Sequence, residues 1–201
     1  MPRHLLIVGA AVAALSLAAC GQAADDNATA PAESVTPDAN PAATLPTPAD
    51  EASAPDFVRL AAESDMFEIQ SSQMAVERAQ NAEVKEFAQM MIEAHNQSTA
   101  DLKAAVQASG QAITPPTQPS EEVADELNDL REVAAGEFDE AYIDEQVEAH
   151  QEALNLMQRY AGDGDVPELQ AFAAATAPLI QQHLDRAKAL QEQLGNDGSA
   201  M

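Results

Sequence analysis

From about residue 56 to residue 194 the apolar residues recur at alternating steps of three and four. That spacing keeps side chains on one face of a helix with 3.6 residues per turn. The first helix is predicted over about Asp56 to Gln80, with Phe57, Leu60, Phe67 and Met74 on one stripe. Asn81 reads as the N-cap of a second helix that ends near Gly110, striped by Val84, Ala88, Met91, His95, Ser98, Leu102 and Val106. Thr114 to Pro119 is a proline-rich loop. Ser120 caps a third helix that bends at Gly136 and continues to Ala161, with Ile143, Val147, His150, Leu154 and Met157 in line. After a turn over Gly162 to Asp165, a fourth helix aligns Leu169, Phe172, Thr176, Leu179, His183, Ala187 and Leu190 and ends near Leu194. Pro178 lies inside it and is expected to kink it, because proline removes a helix hydrogen bond. Four helices with two short connections out of three predict an all-α fold, an antiparallel four-helix bundle over residues 55–195 with a flexible tail at 196–201. The abundance of Ala, Glu, Gln and Leu in this half of the chain agrees.

The N-terminal segment has a different character. Arg3 and His4 precede an apolar run from Leu5 to Leu17, too short to span a bilayer and of the length of a signal-peptide core. It ends in Leu17-Ala18-Ala19-Cys20, the pattern of a lipoprotein cleavage site, in which small residues admit the peptidase and the thiol takes the lipid. Residues 1–19 are therefore expected to be removed and Cys20 to be lipidated, anchoring the chain to the membrane. Gly21 follows the cysteine where an Asp would favour inner-membrane retention, which points to the outer membrane, facing the periplasm. Residues 20–54 are rich in Ala, Pro, Asp, Thr and Asn and have no aromatics, a composition that cannot offset the entropy of ordering. They are read as a disordered linker of roughly 30 Å reach.

Composition excludes some functions. Nine Lys and Arg against 34 Asp and Glu give a formal charge of −25. No basic patch exists to neutralise phosphates, so nucleic acid is not a partner. Cys20 is the sole cysteine, so the domain has no disulfide or thiol chemistry. Nothing in the sequence defines a protein partner.

Apart from His4, the histidines fall one each on helices 2, 3 and 4, and each lies on an apolar stripe. A buried imidazole without a partner costs about 1–3 kcal/mol. The partners of His95, His150 and His183 are expected to be an acid such as Glu68, or one another through a shared ion. Imidazole suits zinc, copper or iron. Met91, one turn before His95, is a candidate soft ligand, with core filling as its alternative. A di-iron centre requires Glu-x-x-His, but Ile92, Val147 and Ile180 stand three residues before the histidines. Glu93 and Glu148 are two residues from theirs, on the opposite side of the helix. Counting from the turn near Asp163 sets His150 and His183 about 10 Å apart in height. A pair including His95 is therefore the minimal site and the trio the extended one. Neutral buried rings must take up charge below about pH 6, so acid is expected to weaken the fold.

The runs Phe57-Val58, Ala61-Ala62, Met66 and Glu68, then Val84-Lys85, Phe87-Ala88, Met91 and His95, then Phe138-Asp139, Tyr142 and His150, then Phe172-Ala173, Pro178 and His183 recur in a fixed order. Over residues 55–194 this order resembles the bacterial domain family of unknown function numbered 4142. The resemblance implies a ferritin-like bundle in a periplasmic or outer-membrane protein, and implies no reaction. The resulting expectation is a lipid-anchored envelope protein, a binder of a transition metal and not an enzyme. Its rivals are a metal-dependent redox enzyme and a structural, stress-related interaction module. Cys20→Ser should abolish lipidation and processing, read as the loss of acyl mass and of membrane fractionation. Wild-type protein that is soluble and carries no acyl mass would contradict the anchor.

Overall fold

The protein is described here by a computed structural model that covers residues 53–198. The signal segment, Cys20, the linker up to residue 52 and residues 199–201 lie outside the described residues. Five helices follow in order: α1 (Ala54–Arg78), α2 (Ala82–Ser109), α3 (Glu121–Glu132), α4 (Phe138–Asp163) and α5 (Pro167–Gly198). The described residues contain no strand, and no helix among them is long and apolar enough to cross a membrane.

Helix ends follow local chemistry. The Asn81 side chain accepts the Glu83 and Val84 amides at 2.8 and 3.4 Å, satisfying orphan donors at the start of α2. Gly110 ends α2 in the left-handed region at φ 66°, where a side chain would be strained. Ser120 Oγ accepts the Val123 amide at 3.3 Å to start α3. The turn from α4 to α5 requires glycine at 164, because a Cβ there would fall 2.5 Å from the Tyr160 ring. The Tyr160 hydroxyl closes the same turn by donating to Asp165 at 2.9 Å.

The predicted third helix is two helices. The chain leaves the helical path at Val133, which is extended at φ −56° and ψ 138°, so the expected bend at Gly136 is a full break. The break is held from outside. Arg78, at the end of α1, donates to the carbonyls of Leu130, Arg131 and Val133 at 3.0, 2.9 and 2.5 Å. These carbonyls end α3 and lack helical partners. The same guanidinium lies 4.2 Å over the Phe138 ring, the first residue of α4. The Asp139 carboxylate accepts the amides of Gln80 and Asn81, tying the start of α4 to the α1–α2 turn.

Four long helices make the bundle, each beside two others in the cyclic order α1, α2, α5, α4. Neighbours run antiparallel. Phe57, early in α1, stacks on Tyr160, late in α4, with ring centroids 3.8 Å apart. Arg186, late in α5, pairs with Glu83, early in α2, at 2.9 Å. Helix α3 lies outside this ring, against α1 and α4.

The apolar interior is in two blocks. One gathers Phe57, Leu102, Leu154, Tyr160, Leu169 and Leu184. The other gathers Val84, Phe87, Met91, Phe138, Tyr142 and Leu190. Between the blocks the buried residues are mostly polar: Asp65, Glu68, Ser71 and Ser72 on α1, where Phe67 is the apolar exception, His95 on α2, and Gln146 and His150 on α4, while on α5 the half-buried His183 lies beside Ile180 and Leu184 of the first block. The inward face of α1 is accordingly Ala61, Ala62, Asp65, Glu68 and Ser72, rotated from the predicted stripe, and Leu60 and Met74 are only partly buried. On α5 the buried line is Leu169, Ala173, Ile180, Leu184, Ala187 and Leu190, while the predicted Leu179 is 53% exposed. Helix α5 continues through Pro178 and on to Gly198, past the predicted end near Leu194. Ala174, whose carbonyl loses its partner at Pro178, is exposed, so water can take that place.

Arg78→Ala should lower the unfolding free energy by about 2–3 kcal/mol, the scale of lost charge-assisted hydrogen bonds. The exposed Arg131→Ala should cost less than about 0.5 kcal/mol. Urea denaturation measures both, and equal effects would contradict the clamp.

Candidate metal centre

His95, His150 and His183 come together at the level between the two apolar blocks. Their ring centroids are 5.5, 5.9 and 5.5 Å apart for the pairs 95–150, 95–183 and 150–183. One nitrogen from each ring lies within 4.8 Å of one from each of the others. The height difference expected between His150 and His183 largely disappears. His150 is thirteen residues before the end of α4 and His183 sixteen after the start of α5, a difference worth about 4.5 Å of rise. The turn between the helices adds no rise, and two imidazole side chains span the remainder.

Two of the rings are fixed from behind. His95 Nδ1 lies 2.9 Å from Asp65 Oδ1, whose second oxygen accepts the Thr99 hydroxyl at 2.9 Å. His150 Nδ1 lies 2.8 Å from the Gln146 carbonyl. A carbonyl can only accept, so this nitrogen carries the proton and Nε2 holds the lone pair in the neutral ring. Asp65 sets His95 in the same sense. Glu68 Oε1 lies 3.2 Å from His150 Nδ1, but the N–H is directed at Gln146, so this is an ion-pair contact and not a directed hydrogen bond. The polar layer continues along α1 and α4. Gln146 Nε2 donates to Ser71 Oγ at 3.3 Å, and Ser72 shares a hydrogen bond of 2.8 Å with the Tyr142 hydroxyl.

Each ring retains one buried nitrogen without a hydrogen-bond partner: Nε2 of His95, Nε2 of His150 and Nδ1 of His183. His95 and His150 are 5% and 1% exposed, whereas His183 is half-buried. With the Nδ1 atoms of His95 and His150 committed, their Nε2 atoms and the His183 ring are left to bind.

Charge in the layer is uneven. Burial pushes the Glu68 carboxyl up, but the adjacent His150 ring, with smaller help from His95 and Gln146, holds it below the ordinary range. Burial pulls His150 down, but Glu68 and the Gln146 carbonyl outweigh it and hold this ring above the ordinary range. Burial and the charges of His150 and His95 push His183 down to about 4. The acid response expected of three rings acting alike is thus divided. His150 contributes stability below its unfolded value of 6.5 that fades as pH rises through its raised folded value. His183 contributes stability above 6.5 that is lost as pH falls towards 4. Glu68 contributes above 4.5 and loses that below it.

The other candidates fall elsewhere. Glu68 is 1% exposed and stands behind His150 as its counter-charge, not among the three converging groups. Met91 is fully buried in the apolar block with Phe87, Phe138 and Tyr142, where it fills the core. Glu93 and Glu148 are exposed, on the far sides of their helices. The sequence reading missed Asp65 and Gln146. Their signal is spacing: Asp65 is three residues before Glu68 on the inward face of α1, and Gln146 four before His150 on α4.

Three imidazoles with free nitrogens form a donor set for a borderline transition metal. A tetrahedral ion with bonds of about 2.1 Å holds its nitrogens about 3.4 Å apart, so from within 4.8 Å of one another the rings would close by up to about 1.4 Å to bind it.

Among solved structures the chain is similar to a DUF305 fragment from Deinococcus radiodurans, at 14% identity and a TM-score of 0.59, covering 68% of this chain and 93% of that one. It is likewise similar to CopM in the Cu(II)-bound form, at 16% identity and a TM-score of 0.59, covering 71% of this chain and 97% of that one. Identity this low carries the fold alone. No curated protein sequence matches the chain. The family described as a domain of unknown function (DUF4142) matches residues 39–190, and the chain belongs to that family.

Proposed function

We propose that this is a lipid-anchored protein of the cell envelope whose bundle binds one transition-metal ion, copper before zinc or iron, through His95, His150 and His183. The observation that carries the reading is the convergence of three ring nitrogens, one from each histidine within 4.8 Å of the others, with a buried nitrogen on each ring lacking any hydrogen-bond partner. A structural role would satisfy each ring with its own hydrogen bond. Instead, Asp65 and Gln146 satisfy only the rear nitrogens of His95 and His150. Such rear contacts fix the tautomer and aim the other nitrogen, as they do behind metal-bound histidines generally.

Copper is preferred on two grounds. For nitrogen donors it binds most tightly of the divalent first-row ions. The similar fold of CopM was solved in a Cu(II)-bound form. An ion at this site would supply Lewis acidity and charge at the centre of the bundle. The membrane anchor rests on Cys20 and the residues before it, and the outer-membrane address on Gly21. The acidic surface, part of a formal charge of −25, raises the local concentration of cations without defining a site.

Isothermal titration of tag-free, metal-free protein with Cu(II) and with Zn(II) should give one ion per chain, with copper the tighter. His183→Ala is the informative variant, because His183 is half-buried and has no hydrogen-bond partner to strand. It should retain the wild-type helicity and weaken copper binding at least ~10-fold, about 1.4 kcal/mol. No binding by the wild type, or equal binding by the variant, would overturn the reading.

A further inference from the structure

We infer that the groove between α1, α3 and α4 binds a small organic cation, an ammonium group carried on an apolar body. The inference uses none of the three histidines and stands apart from the metal-binding reading.

The groove has a volume of 490 Å³, within the range of small-molecule sites. Its floor is apolar: Leu60 and Phe67 of α1, Val123 of α3, and Ala153 and Leu156 of α4 line it. Phe67 is 4% exposed and yet belongs to neither apolar block, so its ring is buried on this side of α1 and not in the bundle interior. Along α1 the lining runs from Leu60 to Phe67, about 10 Å of helix. Helix α3 contributes a single turn, Glu122 to Glu126. The groove is therefore the size of one short ligand and too short to seat a long segment of protein.

The walls are acidic on three sides. Glu63 of α1, Glu122 and Glu126 of α3, and Glu152 of α4 line the groove, against Arg159 as the cation. Arg59 answers Glu63 at 3.0 Å. Glu126 instead stands in the field of Glu145, Glu122, Glu152 and Glu148, and burial together with this repulsion pushes it up. Burial, Glu148 and Glu122 do the same to Glu152. A cation seated among these carboxylates relieves their repulsion, and the floor beneath takes the apolar body. A bare inorganic ion leaves that floor uncovered, and an uncharged ligand leaves the repulsion in place.

Charge also disfavours the occupants nearest to hand. Residues 21–52 of this chain carry Asp25, Asp26, Glu33, Asp38, Asp50 and Glu51 and no Lys or Arg, and a second copy brings the same formal charge of −25.

The test uses the full, tag-free, metal-free chain. Octyltrimethylammonium, octanesulfonate and tetramethylammonium are titrated in separately, below any micelle-forming concentration, while the backbone amide signals are followed by NMR. Octyltrimethylammonium should saturate at one per chain, with shifts centred on Leu60, Phe67, Val123 and Leu156. Tetramethylammonium, which lacks the apolar body, should bind at least ~10-fold more weakly, and octanesulfonate should not bind. Glu126→Gln with Glu152→Gln should weaken binding several-fold. Glu86→Gln with Glu93→Gln, which removes the same charge from the exposed face of α2, should leave it unchanged. Ser64→Trp, which puts bulk into the groove, should keep the helicity and abolish binding. Equal binding of the two cations would mean attraction to a diffuse acidic surface only and would overturn the inference. So would shifts centred elsewhere, an equal loss in both charge pairs, or tighter binding of an alternating Lys–Leu peptide than of octyltrimethylammonium.

Discussion

The ion pair between His150 and Glu68 is the constraint around which the bundle is arranged. Both side chains are 1% exposed, in a polar layer at mid-height between two apolar blocks. A buried ion pair adds little net stability, but removing one partner costs about 3–5 kcal/mol, because the other is then stranded. Once Glu68 is placed at this level, its surroundings must be polar. Gln146, Ser71 and the His150 ring supply that environment, and Asp65 with Thr99 extends it to His95. The core is divided as a result, with stacked Phe57 and Tyr160 in one block and Phe138 over Tyr142 in the other. A continuous apolar core would hold four helices together at least as well. The layer therefore serves specificity of pairing and the site it contains.

Within the layer the histidines have different roles. His95 and His150 are set by contacts behind them, one to a carboxylate and one to a carbonyl. His183 has no such contact and lies nearest the solvent. Its free base is favoured by burial and by the two neighbouring rings, which push it down to about 4 and leave its lone pair available at neutral pH. The arrangement has two fixed donors and one adjustable one. The acidic face of α3 and α4 adds a longer-range effect. Burial and mutual repulsion push Glu126, Glu145 and Glu152 up, so cations near the surface relieve that repulsion.

The helices and the inward histidines were legible in the sequence because both are matters of period. Turning His95 outward would expose Met91 and Leu102, which share its stripe. What escaped the sequence were contacts that have no period. The α3–α4 break depends on Arg78, more than fifty residues earlier, reaching carbonyls that no local pattern marks. On α5 the reading followed Leu179 and His183 as one line, although Ile180 and Leu184 are the buried residues, one position later. That shift leaves His183 at the edge of the interface, which explains its partial exposure. On α1 apolar character marks Leu60 and Met74, whereas small and polar residues are buried along with Phe57 and Phe67. On its own Asp65 carries no signal in the sequence, because an isolated acid in a helix is usually solvated. Its role appears only when His95 is brought beside it.

On the proposed reading, three histidine nitrogens, and no methionine sulfur, would hold the ion. X-ray absorption at the copper edge of the Cu(II)-loaded protein tests it most directly. The predicted spectrum fits three imidazole nitrogens at about 2.0 Å, the metal–nitrogen scale, with multiple scattering from the rings. A sulfur scatterer from Met91, or a shell of oxygens with fewer than two imidazoles, would contradict it.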